Sequence, residues 1–176
     1  LWHTPAGEAY ATTAKDGARD HRKVSSPDFK RWIQALYFET HSKAIRRESL
    51  SDAVGVLEGR ALMGPEHEVH VRVAEHGGNV YIDLGDRKRH VVVISPSGWR
   101  VTQDVPVRFR RPSGSLPLPM PARGGSIDQL RPLINVADDD GWVLLVGFLV
   151  AALHPSGPYF VLVLVGEQGT AKSTAT

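Results

Sequence analysis

The chain contains no cysteine among its 176 residues. Disulfide frameworks, thiolate zinc sites and cysteine nucleophiles are therefore excluded within it. Long apolar runs are also missing. The longest covers residues 142–153 and stops at His154-Pro155-Ser156-Gly157-Pro158, well short of the roughly 20 residues that cross a bilayer. The first twenty residues carry no apolar segment of the secretory type. Together these absences lead to an expected cytoplasmic location. An excess of one charge is lacking too: 21 basic against 19 acidic side chains leave a formal +2, so the placement of charge matters more than its sum. No initiating methionine is present, and the chain stops at Thr176 inside what reads as a helix start. A fragment of a longer protein is the expectation.

What is there divides by period. Residues 1–24 are rich in alanine, threonine, glycine and charge without sustained periodicity, and read as a lead-in or linker. Ser26-Pro27-Asp28 predicts a helix start: a capping hydroxyl, a proline at the first position and an acid at the positive end of the dipole. Phe29, Trp32, Ile33, Leu36 and Tyr37 follow at helical spacing. A second helix is predicted from Ser49, with Asp52 completing an aspartate variant of the capping box. Its stripe is Leu50, Val54, Leu57 and Ala61, and Gly64-Pro65 ends it. Gly55 and Gly59 each weaken it by roughly 1 kcal/mol relative to alanine, so packing must hold it.

The period then switches to two. Val69, Val71 and Val73 alternate with polar residues, Gly77-Gly78 supplies a hairpin turn, and Val80, Ile82 and Leu84 return. Residues 90–94 and 99–103 read as further strands, and 105–109, which contains Pro106, as an edge strand. Residues 25–111 thus predict a small α+β module of two helices and an antiparallel meander. Residues 112–126, rich in proline and glycine, read as a linker. Residues 127–176 read as the start of an α/β core. Ser126 caps a short helix. Asp138, Asp139 and Asp140 precede a helix that is apolar all round, and residues 160–165 form a run suited to a central parallel strand.

That run leads into Gly166, Glu167, Gln168, Gly169, Thr170, Ala171, Lys172, Ser173 and Thr174. A triphosphate is bound without bulky groups when several backbone N–H groups aim at it and a helix N-terminus follows. Gly166 and Gly169 would shape such a loop. Lys172 would reach the β- and γ-phosphates and act as the catalytic cation. Ser173 would be the Mg²⁺ ligand, and the amides of residues 168–173 the cradle. ATP and Mg²⁺ are the implied cofactors.

This segment resembles the Walker A motif of P-loop NTPases. It departs from the strict pattern at Ala171, where glycine is usual, and that puts affinity rather than identity in question. The order of acid-capped helix, Pro/Gly turn, strand and loop looks like the opening of a RecA-like or AAA-type core. The wider pattern is similar to bacterial and phage ATP-binding proteins of the primase-helicase type. The resemblance implies an ATP hydrolase, expected to act in DNA replication and to form a homo-oligomer, with residues 1–176 inactive by themselves. The rival reading is a non-catalytic nucleic-acid- or protein-binding module with a degenerate nucleotide loop.

The basic residues Arg87, Lys88, Arg89, Arg100, Arg108 and Arg110, with Arg111 beside them, read first as a solvated strand edge guarded by charge. The competing reading is DNA contact through the first six. Alternation points Arg108 and Arg110 away from Val107 and Phe109. Tyr81 and Trp99 are candidate stacking residues, although Trp99 shares a face with Val101 and so favours a core position. Helix capping accounts for Asp138, Asp139 and Asp140 better than a metal site does.

Overall fold

A computed structural model describes residues 1–15, 17–136 and 138–163. It is mixed α and β, with one three-stranded and one four-stranded antiparallel sheet. The chain divides into two compact units, Leu1–Leu118 and Pro119–Thr176.

The first departure from expectation is at the start. Residues 1–24 are no linker: β1 (Trp2–His3), β2 (Ala9–Lys15) and β3 (Ala18–Lys23) form an antiparallel sheet in that order. Its inner face is made of small residues, Ala9 and Ala11, and it packs with Val24, Phe29, Leu50, Val54 and Ala61. Trp2 and Tyr10 pair across the strands, their rings stacked at 4.7 Å. β1 is pinned on its other side as well, because His3 N–H donates to Pro65 O at 3.1 Å and His67 N–H to His3 O at 2.8 Å. Gly64 permits that approach. A Cβ built there would lie 2.9 Å from Leu1 O.

Helix α1 (Pro27–His41) starts where its sequence places it, with Ser26 Oγ accepting from Phe29 N–H at 3.2 Å. It ends at Ser42, which takes a left-handed conformation (φ 53°) and donates to Phe38 O. Phe29, Trp32 and Ile33 meet the core, whereas Leu36 stays 47% exposed. Helix α2 spans Arg47–Leu62, two residues earlier than predicted. Ser49 therefore lies inside the first turn, and the Ser49/Asp52 capping box does not form. Arg46 occupies the cap without a side-chain bond. Burial of Leu50, Val54 and Ala61 holds the helix despite its two glycines.

The second sheet is a meander of β4 (Val73–His76), β5 (Asn79–Asp83), β6 (Val91–Ser95) and β7 (Gly98–Thr102). Gly77 and Gly78, both at positive φ (58° and 73°), make the two-residue turn that joins β4 to β5. Only glycine takes two such positions at no steric cost. Period two places Tyr81, Val91 and Val93 on one face and Ile82, Val92, Trp99 and Val101 on the other. Both faces are apolar. The first is covered by residues 105–109, which contribute Val105, Val107 and Phe109. The fifth strand expected there is reduced to one bridge, His70 to Phe109, and Val69 and Val71 fall outside β4. Pro106 has no N–H to offer a ladder.

In the second unit a 3₁₀ helix spans Ile127–Leu133, and α3 spans Asp139–Ala152. Asp138 caps α3 by accepting from Gly141 N–H at 2.8 Å, with Asp139 and Asp140 in its first turn. Although α3 is apolar all round, Leu144 and Val150 are 74% and 68% exposed. The central strand predicted over 160–165 is not formed at 160–163, whose side chains are largely exposed. A strand needs a neighbour to pair with, and no strand occurs among the described residues of this unit. Residues 164 and 165 lie outside the described residues.

Nothing lies within 4 Å of a Cβ built on Gly55 or Gly59. Gly55→Ala and Gly59→Ala are each expected to raise stability by about 1 kcal/mol, read as higher denaturation midpoints with an unchanged m-value.

Candidate nucleic-acid interface

The residues expected to form a phosphate loop, Gly166, Glu167, Gln168, Gly169, Thr170, Ala171, Lys172, Ser173 and Thr174, lie outside the described residues. The site with visible geometry is in the first unit. Strand β3 alternates along Arg19, Asp20, His21 and Arg22. The loop after β5 carries Arg87 and Arg89. The segment after β7 brings Arg108, Arg110 and Arg111 back across the meander. These three stretches line two cavities of about 490 and 520 Å³ that share His21, Arg89 and Arg111 as walls. Among the described residues, eight basic side chains and five carboxylates line the pair.

Ion pairing fixes part of this set. Asp83, at the end of β5, is only 2% exposed. Arg111 grips it with two N–H groups, Nε to Oδ2 at 2.7 Å and Nη2 to Oδ1, while Gly85 N–H donates to Oδ1 at 3.2 Å. A third Arg111 bond goes to the Asp86 carbonyl. Asp20 serves two guanidinium groups, Arg22 at 2.6 Å and Arg89 at 3.0 Å. Arg89 itself takes a left-handed backbone (φ 61°) in the loop. Asp86 accepts from the His90 N–H at 2.8 Å and lies 2.6 Å from its ring nitrogen. Burial alone would raise the Asp86 carboxyl, but these bonds outweigh it and hold it below its ordinary value.

Lys23 pairs with Glu8 at 2.5 Å. Arg19, Arg87, Arg108 and Arg110 form no ion pair with a carboxylate among the described residues. Arg108 lies over the Trp2 ring at 5.3 Å rather than pointing simply outward, as alternation implied. Burial and the nearby Arg19 lower its ordinary pKa. The same field acts on His21. Burial first, then Arg108, depress it from 6.5 to about 4, so the ring is neutral at pH 7. Its Nδ1 lies 3.0 Å from Thr12 Oγ1, which also accepts from Trp2 Nε1 at 3.0 Å. A polar chain thus runs from the buried indole to the cavity wall.

Of the six basic residues picked out in the sequence, Arg87, Arg89, Arg108 and Arg110 line the cavities, whereas Lys88 and Arg100 do not. Tyr81 and Trp99 fall on opposite faces of the meander and form no joint stacking platform. Arg19, Arg22 and Lys23 were missed, whereas Arg111 stood beside the six in the sequence and does line both cavities. The alternation Ala18-Arg19-Asp20-His21-Arg22-Lys23 was the available signal for the first three. Among the described residues no group of histidines and carboxylates is arranged to hold a metal ion. No helix among them is long and apolar enough to cross a membrane. No family model, curated protein or solved structure matches the chain.

In the folded chain His21 stays neutral down to about pH 4, whereas unfolding returns it to 6.5. The unfolded state therefore binds the extra proton between those values, and stability falls as pH drops through that window. With solvent screening of a half-buried ring counted, the loss is about 2 kcal/mol. His21→Gln is expected to flatten this part of the profile, measured by thermal melts at pH 7, 5.5 and 4. Separately, Asp83→Ala leaves the half-buried Arg111 without its carboxylate partner. It should cost about 3–5 kcal/mol in chemical denaturation.

Proposed function

We propose that this chain is the nucleotide- and nucleic-acid-engaging part of a cytoplasmic P-loop ATPase, of the kind that works on DNA during replication and assembles as a homo-oligomer. The observation that carries the nucleic-acid half is the gathering of eight basic side chains around two adjoining cavities that form the groove, four of them without a carboxylate partner among the described residues. Like charges crowd at a cost, and a polyphosphate ligand relieves it. Guanidinium forks match phosphate oxygens in geometry and stay charged at every working pH. Such contacts give sequence-independent affinity that falls steeply with salt.

The ATP half rests on the sequence at 166–174. The hydroxyl of Ser173 beside the ammonium of Lys172 suits Mg²⁺, a hard cation usually bound through few protein oxygens plus substrate phosphates. When bound, the ion neutralises charge on the transferred phosphoryl group. In this reading Lys172 would hold the β- and γ-oxygens, and the loop amides would orient the phosphates for in-line attack by water. Hydrolysis at such a site would further need an acidic strand end and an arginine finger. The rival reading keeps the groove and treats the nucleotide loop as degenerate at Ala171.

Two measurements test the proposal. Anisotropy of a labelled oligonucleotide across a KCl series should show log K falling linearly with log salt. Arg19→Ala and Arg108→Ala should each reduce the slope by about 0.7 to 0.9 if each removes one phosphate contact. A salt-independent signal would refute the groove as a phosphate site. A fluorescent ATP analogue should bind in the presence of Mg²⁺ and lose at least tenfold in affinity in Lys172→Ala. Equal binding by the variant would favour the degenerate-loop reading.

A further inference from the structure

The first of the two cavities differs from a simple basic surface. Its rim carries Arg19, Arg89 and Arg108, while its floor is built from Val91, Val105, Val107 and Phe109. Val91 and Phe109 are buried, and Val105 and Val107 are half-buried. Among the described residues its acids are two: Asp83, already gripped by Arg111, and the exposed Asp104. His21 on the wall is uncharged at neutral pH and offers a hydrogen-bonding ring beside the apolar floor. At about 490 Å³ the cavity falls in the range that encloses a small organic ligand.

Phosphate contacts alone need no such floor. A duplex presents its phosphates outward and keeps its bases stacked, so a concave apolar pocket would gain nothing from it. An unpaired strand presents phosphates together with free base faces, and bases are apolar on their faces and polar at their edges. From this combination we infer that the cavity takes one unpaired base of a single-stranded nucleic acid, seated on Val91, Val105, Val107 and Phe109, while Arg19, Arg89 and Arg108 hold the phosphates flanking it. The inference rests on the groove being a phosphate site and adds that it discriminates single strands from duplex. A base pulled into the pocket leaves its stack, which costs least in a strand that has no partner.

The test separates bases from phosphates with the probe rather than with the protein. A labelled thymidine 12-mer, an abasic 12-mer with the same phosphates, and a blunt duplex are titrated into the chain at fixed salt. The expected result is at least tenfold tighter binding of the thymidine strand than of either other probe, with similar salt slopes for the two single strands. Val107→Arg should bring the thymidine strand down to the abasic level. Equal affinity for thymidine and abasic strands would overturn the base pocket while leaving the phosphate groove standing. Failure of all three probes to bind would remove both. Free thymidine monophosphate carries the same groups, and is expected to compete at least a hundredfold more weakly than the 12-mer because it engages one pocket only. Equal potency would overturn the assignment to a polymer.

Discussion

The architecture of the first unit depends on one buried ion pair. Asp83 closes β5 at a point where water is excluded, and a lone carboxylate there would cost several kcal/mol. Arg111 meets it with two parallel N–H bonds, and Gly85 supplies a third donor. The pair draws the chain after β7 back across the meander, so that Val105, Val107 and Phe109 cover the face of Tyr81, Val91 and Val93. Without that return the face would lie open, and Arg108 and Arg110 would have no fixed place. Stability and site geometry are therefore set by the same contact.

A second carboxylate does comparable work with less to spare. Asp20 on β3 accepts from both Arg22 and Arg89, tying the amino-terminal sheet to the loop after β5. One negative charge shared between two guanidinium groups leaves the junction electropositive. Arg19 and Arg108 add to it, and they reinforce the burial that chiefly depresses the titration of His21. The groove is thus positive because its neutralising acids are outnumbered where the two sheets meet. The small net charge of the whole chain conceals this.

Much of the helical hairpin and the meander was legible in sequence because their signals are local. Ser26-Pro27 caps α1, Gly77-Gly78 turns the hairpin, and the valines of β6 alternate as a buried strand must. The amino-terminal sheet was not legible. Its inner face is Ala9 and Ala11, and residues that small leave no hydrophobic period to see. Strand β1 is two residues long and is held by Pro65 and His67, far along the chain. Missing that sheet hid half of the groove: Arg108 and Arg110 stood out from their alternation, but Arg19 and Arg22 seemed to belong to a tail. The predicted strand over 160–165 failed at 160–163 for the converse reason. Its local signal is strong, but strand pairing is a property of neighbours, and no strand in that unit stands ready among the described residues.

Arg100 stays outside the groove, and its position gives it another use. It lies exposed on β7, which pairs with β6 alone and so ends its sheet. The outer N–H and C=O groups of such a strand are a template onto which another molecule's strand can add. Around Arg100 the local sequence, Ile94 through Val101, is otherwise nearly neutral and rich in apolar residues. A guanidinium repeated from copy to copy at that position makes stacking of identical edges repulsive. One arginine outside the groove thus helps keep the molecules apart at high concentration.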